Sequence, residues 1–226
     1  MTRLVATAAL MSIALACDQR PVGMIEWPYV GSEQAHTKYS AAEEITASNV
    51  GEPNIVWQRE PHEMPLEEHG TRPGPFQATP IMIDNVLYRP IMYARVAALD
   101  AETGAELWTF DPKAYEGGPK RVGPRGFKHR GIAYWSDGGD DRVFLNSRDR
   151  LYAIDAATGE LDTDFGESGS VLLTNGHGRR VTRYELDQTS PPVVFEDLVI
   201  VGSRVPDDLS REFGTAVRRH RDRFRA

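Results

Sequence analysis

Side chains able to do chemistry are sparse in this 226-residue chain. Its one cysteine, Cys17, rules out an internal disulfide framework and any CxxC-type zinc site. His62 and His69 fall in a polar, proline-rich connection over residues 61–74, which reads as a solvated loop. His129 has no partner at a metal-ligand spacing, so a loop or packing role is expected of it. Gly176-His177-Gly178-Arg179-Arg180 has the glycines and cations of a phosphate cradle. No strand-then-helix pattern surrounds it and no Lys-Ser/Thr follows, so it reads as a turn. Trp27, Trp57, Trp108 and Trp135 read as packing residues. Against 26 Lys and Arg stand 33 Asp and Glu, a net charge of -7. Such a chain does not attract phosphate backbones, and no nucleic-acid partner is expected.

The elements that would position any site announce themselves through a turn. Val96-Ala97-Ala98-Leu99-Asp100-Ala101-Glu102-Thr103-Gly104 is echoed by Leu151-Tyr152-Ala153-Ile154-Asp155-Ala156-Ala157-Thr158-Gly159, 55 positions later. In such a D-x-x-T-G turn the aspartate accepts backbone hydrogen bonds, the threonine adds another, and the glycine takes the positive φ that reverses the chain. Trp108 returns on the following strand, where it can pack between neighbouring sheets. Short β-branched or aromatic runs occur at Ile81-Met82-Ile83, Val86-Leu87-Tyr88, Arg142-Val143-Phe144-Leu145 and Leu198-Val199-Ile200-Val201. The turn pairs Asp84-Asn85, Gly138-Gly139 and Glu196-Asp197 bound them. Helical periodicity is weak outside the first residues and the stretch 41–50. Strand-built repeats of this length predict an all-β chain of radially repeated four-stranded sheets, a partial β-propeller with about three blades.

Residues 4–15 form an apolar run of about 12 residues, too short to span a bilayer but suited to a signal-peptide core. Ala14 and Ala16 fit ordinary signal cleavage, and also a bacterial lipobox in which Cys17 becomes the lipidated N-terminus. The cysteine's placement directly after the small-residue pair favours lipidation. The mature chain is therefore expected to be exported to the periplasm and anchored to the membrane by lipid.

Several ordered motifs carry a family resemblance. They are Trp27-Pro28-Tyr29-Val30-Gly31 with Thr37-Lys38-Tyr39-Ser40, Phe76-Gln77-Ala78-Thr79-Pro80, Arg130-Gly131-Ile132-Ala133-Tyr134-Trp135, Thr189-Ser190-Pro191-Pro192 and Gly202-Ser203-Arg204-Val205-Pro206-Asp207-Asp208. Over residues 27–208 the chain resembles the pyrroloquinoline quinone (PQQ) dehydrogenases, in particular the membrane-type quinoprotein glucose dehydrogenase branch. The resemblance implies an eight-bladed propeller in the intact family. It also implies oxidation of a sugar or alcohol and transfer of electrons to a quinone or cytochrome.

Position by position, the resemblance makes Arg130 the arginine for a cofactor carboxylate, a role suited to a planar fork of donors. Gln77 stands where relatives place Glu or Gln against the quinone, and Thr189 matches a hydroxyl contact to PQQ. Asp207 and Asp208 match the pair that binds Ca²⁺ or Mg²⁺, hard cations that prefer oxygen ligands. The commoner pair is Asp-Asn, so the second position here changes charge and keeps an oxygen. The ordinary alternatives are a surface salt bridge for Arg130, an inter-blade hydrogen bond for Gln77, a turn-stabilising role for Thr189 and exposed turn carboxylates for the two aspartates. No catalytic residue is expected within the chain, because the family's general-base aspartate belongs to later blades.

After Asp208 the family pattern calls for another D-x-x-T-G turn. Instead, six of the 16 residues over 211–226 are arginine, with no strand alternation. The expected organisation is a leader at 1–16, the N-terminal part of a propeller at 17–210 and a basic tail outside the family at 211–226. A frameshift or premature end is the economical source of that tail, and a genuine anion-binding tail the other. Two functions follow: the N-terminal part of a quinoprotein dehydrogenase, or a noncatalytic β-repeat envelope lipoprotein acting as a scaffold.

Overall fold

The computed structural model describes residues 25–60, 63–119, 127, 129–177, 180, 181, 186 and 188–203, together with the backbone of 217–221. The first sheet is an antiparallel meander of β1 (Ile81–Ile83), β2 (Val86–Ile91), β3 (Arg95–Asp100) and β4 (Glu106–Phe110). The second repeats it with β5 (Ala133–Ser136), β6 (Asp141–Ser147), β7 (Arg150–Asp155) and β8 (Ser170–Leu172). The third holds β9 (Val193–Phe195), β10 (Leu198–Gly202) and β11 (Val217–Arg221). The all-β expectation and the four-stranded repeat both hold. Asp84 and Asn85 take φ of 49° and 63°, the paired left-handed geometry of a tight hairpin, and so join β1 to β2.

Two expectations are corrected. Residues 41–50 form turns rather than a helix. There the side chain of Asn49 accepts from the Thr46 amide at 2.6 Å and donates to the Glu44 carbonyl at 2.7 Å. Such side-chain bonds give the backbone an alternative to helical pairing. The second correction lies in the basic tail. Its composition shows no strand pattern, yet the backbone of β11 pairs with β10 in the register Leu198↔Arg221 to Gly202↔Val217. Strand addition is a backbone event, and β10 has an edge available to a neighbour.

Stacking of the sheets follows from the period-2 alternation of their strands. Val143 and Leu145 of β6 bury into a cluster with Ile81, Val96 and Ala98 of the first sheet. Phe144, between them, points the other way into a cluster with Val199 and Val201 of the third. One sheet thus serves two cores.

The repeated turn locks these layers. Asp100 Oδ1 accepts from the Thr103 amide and the Thr103 hydroxyl, both at 2.7 Å. Those bonds, the hydroxyl's first, hold the Asp100 carboxyl below its ordinary range. Asp155 Oδ1 accepts from the same two groups of Thr158 at 2.7 and 2.8 Å. Gly104 and Gly159 close the turns at φ of 71° and 77°. Trp108 reaches from β4 to the second turn and donates its indole N–H to the Ala156 carbonyl at 2.9 Å. A Cβ on Gly159 would stand 2.6 Å from a Trp108 ring carbon. Trp57 treats the first turn identically, bonding the Ala101 carbonyl at 2.9 Å over Gly104. Trp57 therefore stands where the outer strand of a further sheet would place it. Trp27 covers the free edge of β1, exchanging both backbone bonds with Met82 at 2.9 Å.

Tyr88, Trp108 and Tyr134 meet at the same boundary, with ring centroids 5.9 and 5.8 Å from that of Tyr88. Burial, with the carboxylates of Asp141, Asp84 and Asp155 adding to it, pushes the Tyr88 hydroxyl up to about 12. Burial raises Tyr134 as well, with Asp141 again contributing.

Two outcomes follow. Trp108→Ala is expected to cost about 3–5 kcal/mol in denaturant unfolding. Gly159→Ala, with a strained φ and an obstructed Cβ, is expected to cost at least about 1 kcal/mol. Unchanged midpoints in both would show that the indole is not seated on the turn. The raised tyrosine means that the unfolded chain ionises first, so the stability linked to Tyr88 is whole below pH 10. It is lost as pH rises towards 12, and Tyr88→Phe is expected to flatten the decline of unfolding free energy across that window.

Candidate functional site

Each sheet is entered by an extended segment that leads into its first strand, and these segments lie side by side. The Thr79 amide donates to the Arg130 carbonyl at 3.0 Å, and the Arg130 amide donates to the Thr189 carbonyl at 2.9 Å. One line of backbone bonds therefore crosses the entrances of three successive sheets. Upstream, Phe127 continues the pairing, its amide bonded to the Arg72 carbonyl and its carbonyl to the Gly74 amide. Gly131 permits the close approach, since a Cβ there would stand 2.8 Å from Val30 and 3.2 Å from Pro191.

Side chains repeat what the backbone sets up. Arg130 Nη1 donates to Thr189 Oγ1 at 2.6 Å. Among the described residues no carboxylate pairs with Arg130, so the surface salt bridge weighed for it is not seen. Its guanidinium is exposed and keeps further N–H donors for another group. Thr189 accepts through its oxygen and therefore retains its own O–H as a donor. Gln77 is exposed two residues before Thr79, and among the described residues its amide makes no inter-blade hydrogen bond. The structure thus brings Arg130 and Thr189 into contact and sets the Gln77 segment beside them. Asp207, Asp208 and Cys17 lie outside the described residues. Among those described, no three His, Cys, Asp or Glu side chains gather as a metal site.

Beneath the exposed donors runs a buried polar network. His129 is 4% exposed and Asn146, near the C-terminal end of β6, is 0% exposed. The Gly131 amide donates to His129 Nδ1 at 3.3 Å, which places the ring proton on Nε2. That Nε2–H faces Asn146 Oδ1 at 2.9 Å and the Asn146 carbonyl at 3.0 Å. The other end of the Asn146 amide donates to the Ser190 carbonyl at 3.1 Å. His129 is therefore a packing residue of a specific kind, hydrogen-bonded on both ring nitrogens. Asn146 was not singled out from sequence. Its signal was an amide in the otherwise apolar run Val143-Phe144-Leu145, since asparagine is depleted from strands.

This donor set suits a flat, acceptor-rich polyanion: a guanidinium and a hydroxyl in contact, with the segment that carries the Gln77 amide bonded alongside. It fits PQQ, a planar tricarboxylate.

Comparison with known proteins supplies the family. The β-propeller domain of glucose/ethanol/alcohol dehydrogenases matches residues 27–219, which takes the match into the basic segment. The quinoprotein glucose dehydrogenase of Gluconobacter oxydans is 30% identical over 215 residues, covering 87% of this chain and 26% of the relative. The quinohemoprotein alcohol dehydrogenase of Comamonas testosteroni is 31% identical over 199 residues, covering 84% and 24%. The crystal structure of that same Comamonas enzyme superposes with a TM-score of 0.59 at 29% identity, over 80% of this chain and 23% of that one. The chain spans about a quarter of the length of these relatives. Among the described residues no helix is long and apolar enough to cross a membrane. With its repeated four-stranded sheets, its tryptophan-capped turns and a match over residues 27–219, the chain belongs to the PQQ β-propeller family of glucose, ethanol and alcohol dehydrogenases.

Proposed function

We propose that this chain is the N-terminal, cofactor-binding part of a quinoprotein dehydrogenase that oxidises the CH–OH group of a sugar or alcohol and delivers the electrons to a quinone or cytochrome. The observation that carries the reading is the exposed Arg130 guanidinium, bonded to the Thr189 hydroxyl at 2.6 Å and unpaired with any carboxylate among the described residues.

When bound, PQQ would supply a two-electron acceptor, and a divalent cation would raise its electrophilicity. The rest is work for the chain's own side chains. Arg130 holds a cofactor carboxylate through its remaining N–H donors, and Thr189, with its oxygen already accepting from Arg130, directs its O–H to the same group. Gln77 would offer an amide N–H to the cofactor. Asp207 and Asp208 are assigned the Ca²⁺ or Mg²⁺ because hard cations take carboxylate oxygens. The general base is assigned to later blades, so turnover is proposed for the full-length product rather than for residues 1–226. Relatives that act on glucose and on alcohols match this chain about equally well, which leaves the substrate class at sugars and alcohols. Cys17 is assigned the lipid anchor of an exported, periplasm-facing protein.

PQQ binding by the full-length product, followed by fluorescence with and without a chelator, tests the cofactor reading. Arg130→Ala is expected to weaken binding about 10- to 100-fold, since hydrogen bonds to charged groups are worth about 1.5–3 kcal/mol. Chelation of Ca²⁺ and Mg²⁺ is expected to weaken it further. A wild-type protein that binds no PQQ would point instead to the scaffold. For the anchor, Cys17→Ser is expected to abolish incorporation of labelled palmitate in a bacterial host.

A further inference from the structure

Asn146 poses a physical question. It sits near the C-terminal end of β6 at 0% exposure, where a leucine or valine would pack without hydrogen-bonding demands. Its two amide ends are both used, and the partners lie next to the candidate cofactor residues in the chain. Oδ1 accepts from His129 Nε2 at 2.9 Å, one residue before Arg130. Nδ2 donates to the Ser190 carbonyl at 3.1 Å, one residue after Thr189. A single planar amide therefore spans the two segments whose side chains meet at Arg130 Nη1 and Thr189 Oγ1. The far side of the His129 ring is fixed in turn by the Gly131 amide, so the imidazole cannot rotate without breaking a bond on either face. Fully satisfied buried networks of this kind rigidify what they join.

We propose that Asn146, acting through His129 and the Ser190 carbonyl, is a positioning residue that sets the spacing of Arg130 and Thr189 for cofactor binding. The proposal rests on the PQQ reading and concerns residues that never touch the cofactor. Its consequence is coupling: Asn146 matters to PQQ only while Arg130 is present to be positioned.

A double-mutant cycle on the full-length product tests this, with PQQ affinity by fluorescence titration as the readout and circular dichroism confirming the fold. Asn146→Leu keeps the shape and removes both side-chain hydrogen bonds, leaving His129 Nε2 only the backbone carbonyl of residue 146. It is expected to weaken PQQ binding about ten-fold in the wild-type background and less than about two-fold in an Arg130→Ala background. Unchanged affinity in the wild-type background would overturn the proposal. So would an equal loss in both backgrounds, which is the mark of a merely structural residue. If Asn146→Leu does not fold, Asn146→Asp keeps the acceptor for His129 and loses the donor to Ser190. The same dependence on Arg130 is expected of it, and an additive loss or none would again overturn the proposal. Failure of the wild-type protein to bind PQQ would remove the cofactor reading itself, and is distinguished by that first titration.

Discussion

The seating of an indole on a glycine turn is the contact on which the arrangement of the sheets depends. A four-stranded antiparallel sheet of short strands has two faces to bury and no intrinsic preference for how its neighbour sits. Trp108 removes that freedom. Its ring lies where a Cβ of Gly159 would be, and its N–H ends on the Ala156 carbonyl, so β4 of one sheet is fixed against the turn of the next. The turn can receive it only because Asp155 and Thr158 hold the backbone open with their own hydrogen bonds and glycine supplies the positive φ. Trp57 repeats the arrangement on the first turn. With the sheets placed, β6 can divide its side chains between two cores, and the segments entering each sheet come within hydrogen-bonding distance.

What those segments present is a cation without a carboxylate partner among the described residues, in a chain whose net charge is -7. Among the described residues, Arg59, Arg95 and Arg142 pair with Glu106, Glu63 and Asp162, while Arg148 bonds backbone carbonyls and Arg150 donates to the Ser170 hydroxyl at 2.9 Å. Arg130 has a hydroxyl instead of a carboxylate. A neutral partner orients the guanidinium and leaves its charge available to an anion, and Arg130, unlike Arg150, is exposed. Underneath, the buried His129–Asn146 network is hydrogen-bonded at both ends of the amide, so the exposed pair stands on a braced base.

Much of this was legible in the sequence because the signals were periodic. The two D-x-x-T-G turns, 55 residues apart, gave the repeat, and the β-branched runs fell on β1, β2, β6 and β10. Trp108 could be placed on a strand after its turn, though not over a specific glycine. Non-periodic features were harder to read. The bond between Arg130 and Thr189 joins residues 59 positions apart, and nothing local to either announces it. Asn146 was hidden for the same reason, its partners being distant in sequence and its neighbours apolar. β11 was unreadable in a different way: its pairing uses backbone groups, while the arginine-rich composition of 211–226 suggested none. The proposed metal pair, Asp207 and Asp208, rests on the family motif.

Arginine footprinting of the full-length product tests the central claim most directly. Phenylglyoxal modification, read by peptide mass spectrometry with and without PQQ, reports each guanidinium separately. PQQ is predicted to protect Arg130 while Arg59, ion-paired with Glu106 of β4, reacts equally in both conditions. Equal reactivity of Arg130 with and without bound PQQ would contradict it, and would leave the Arg130–Thr189 contact as a device for joining sheets.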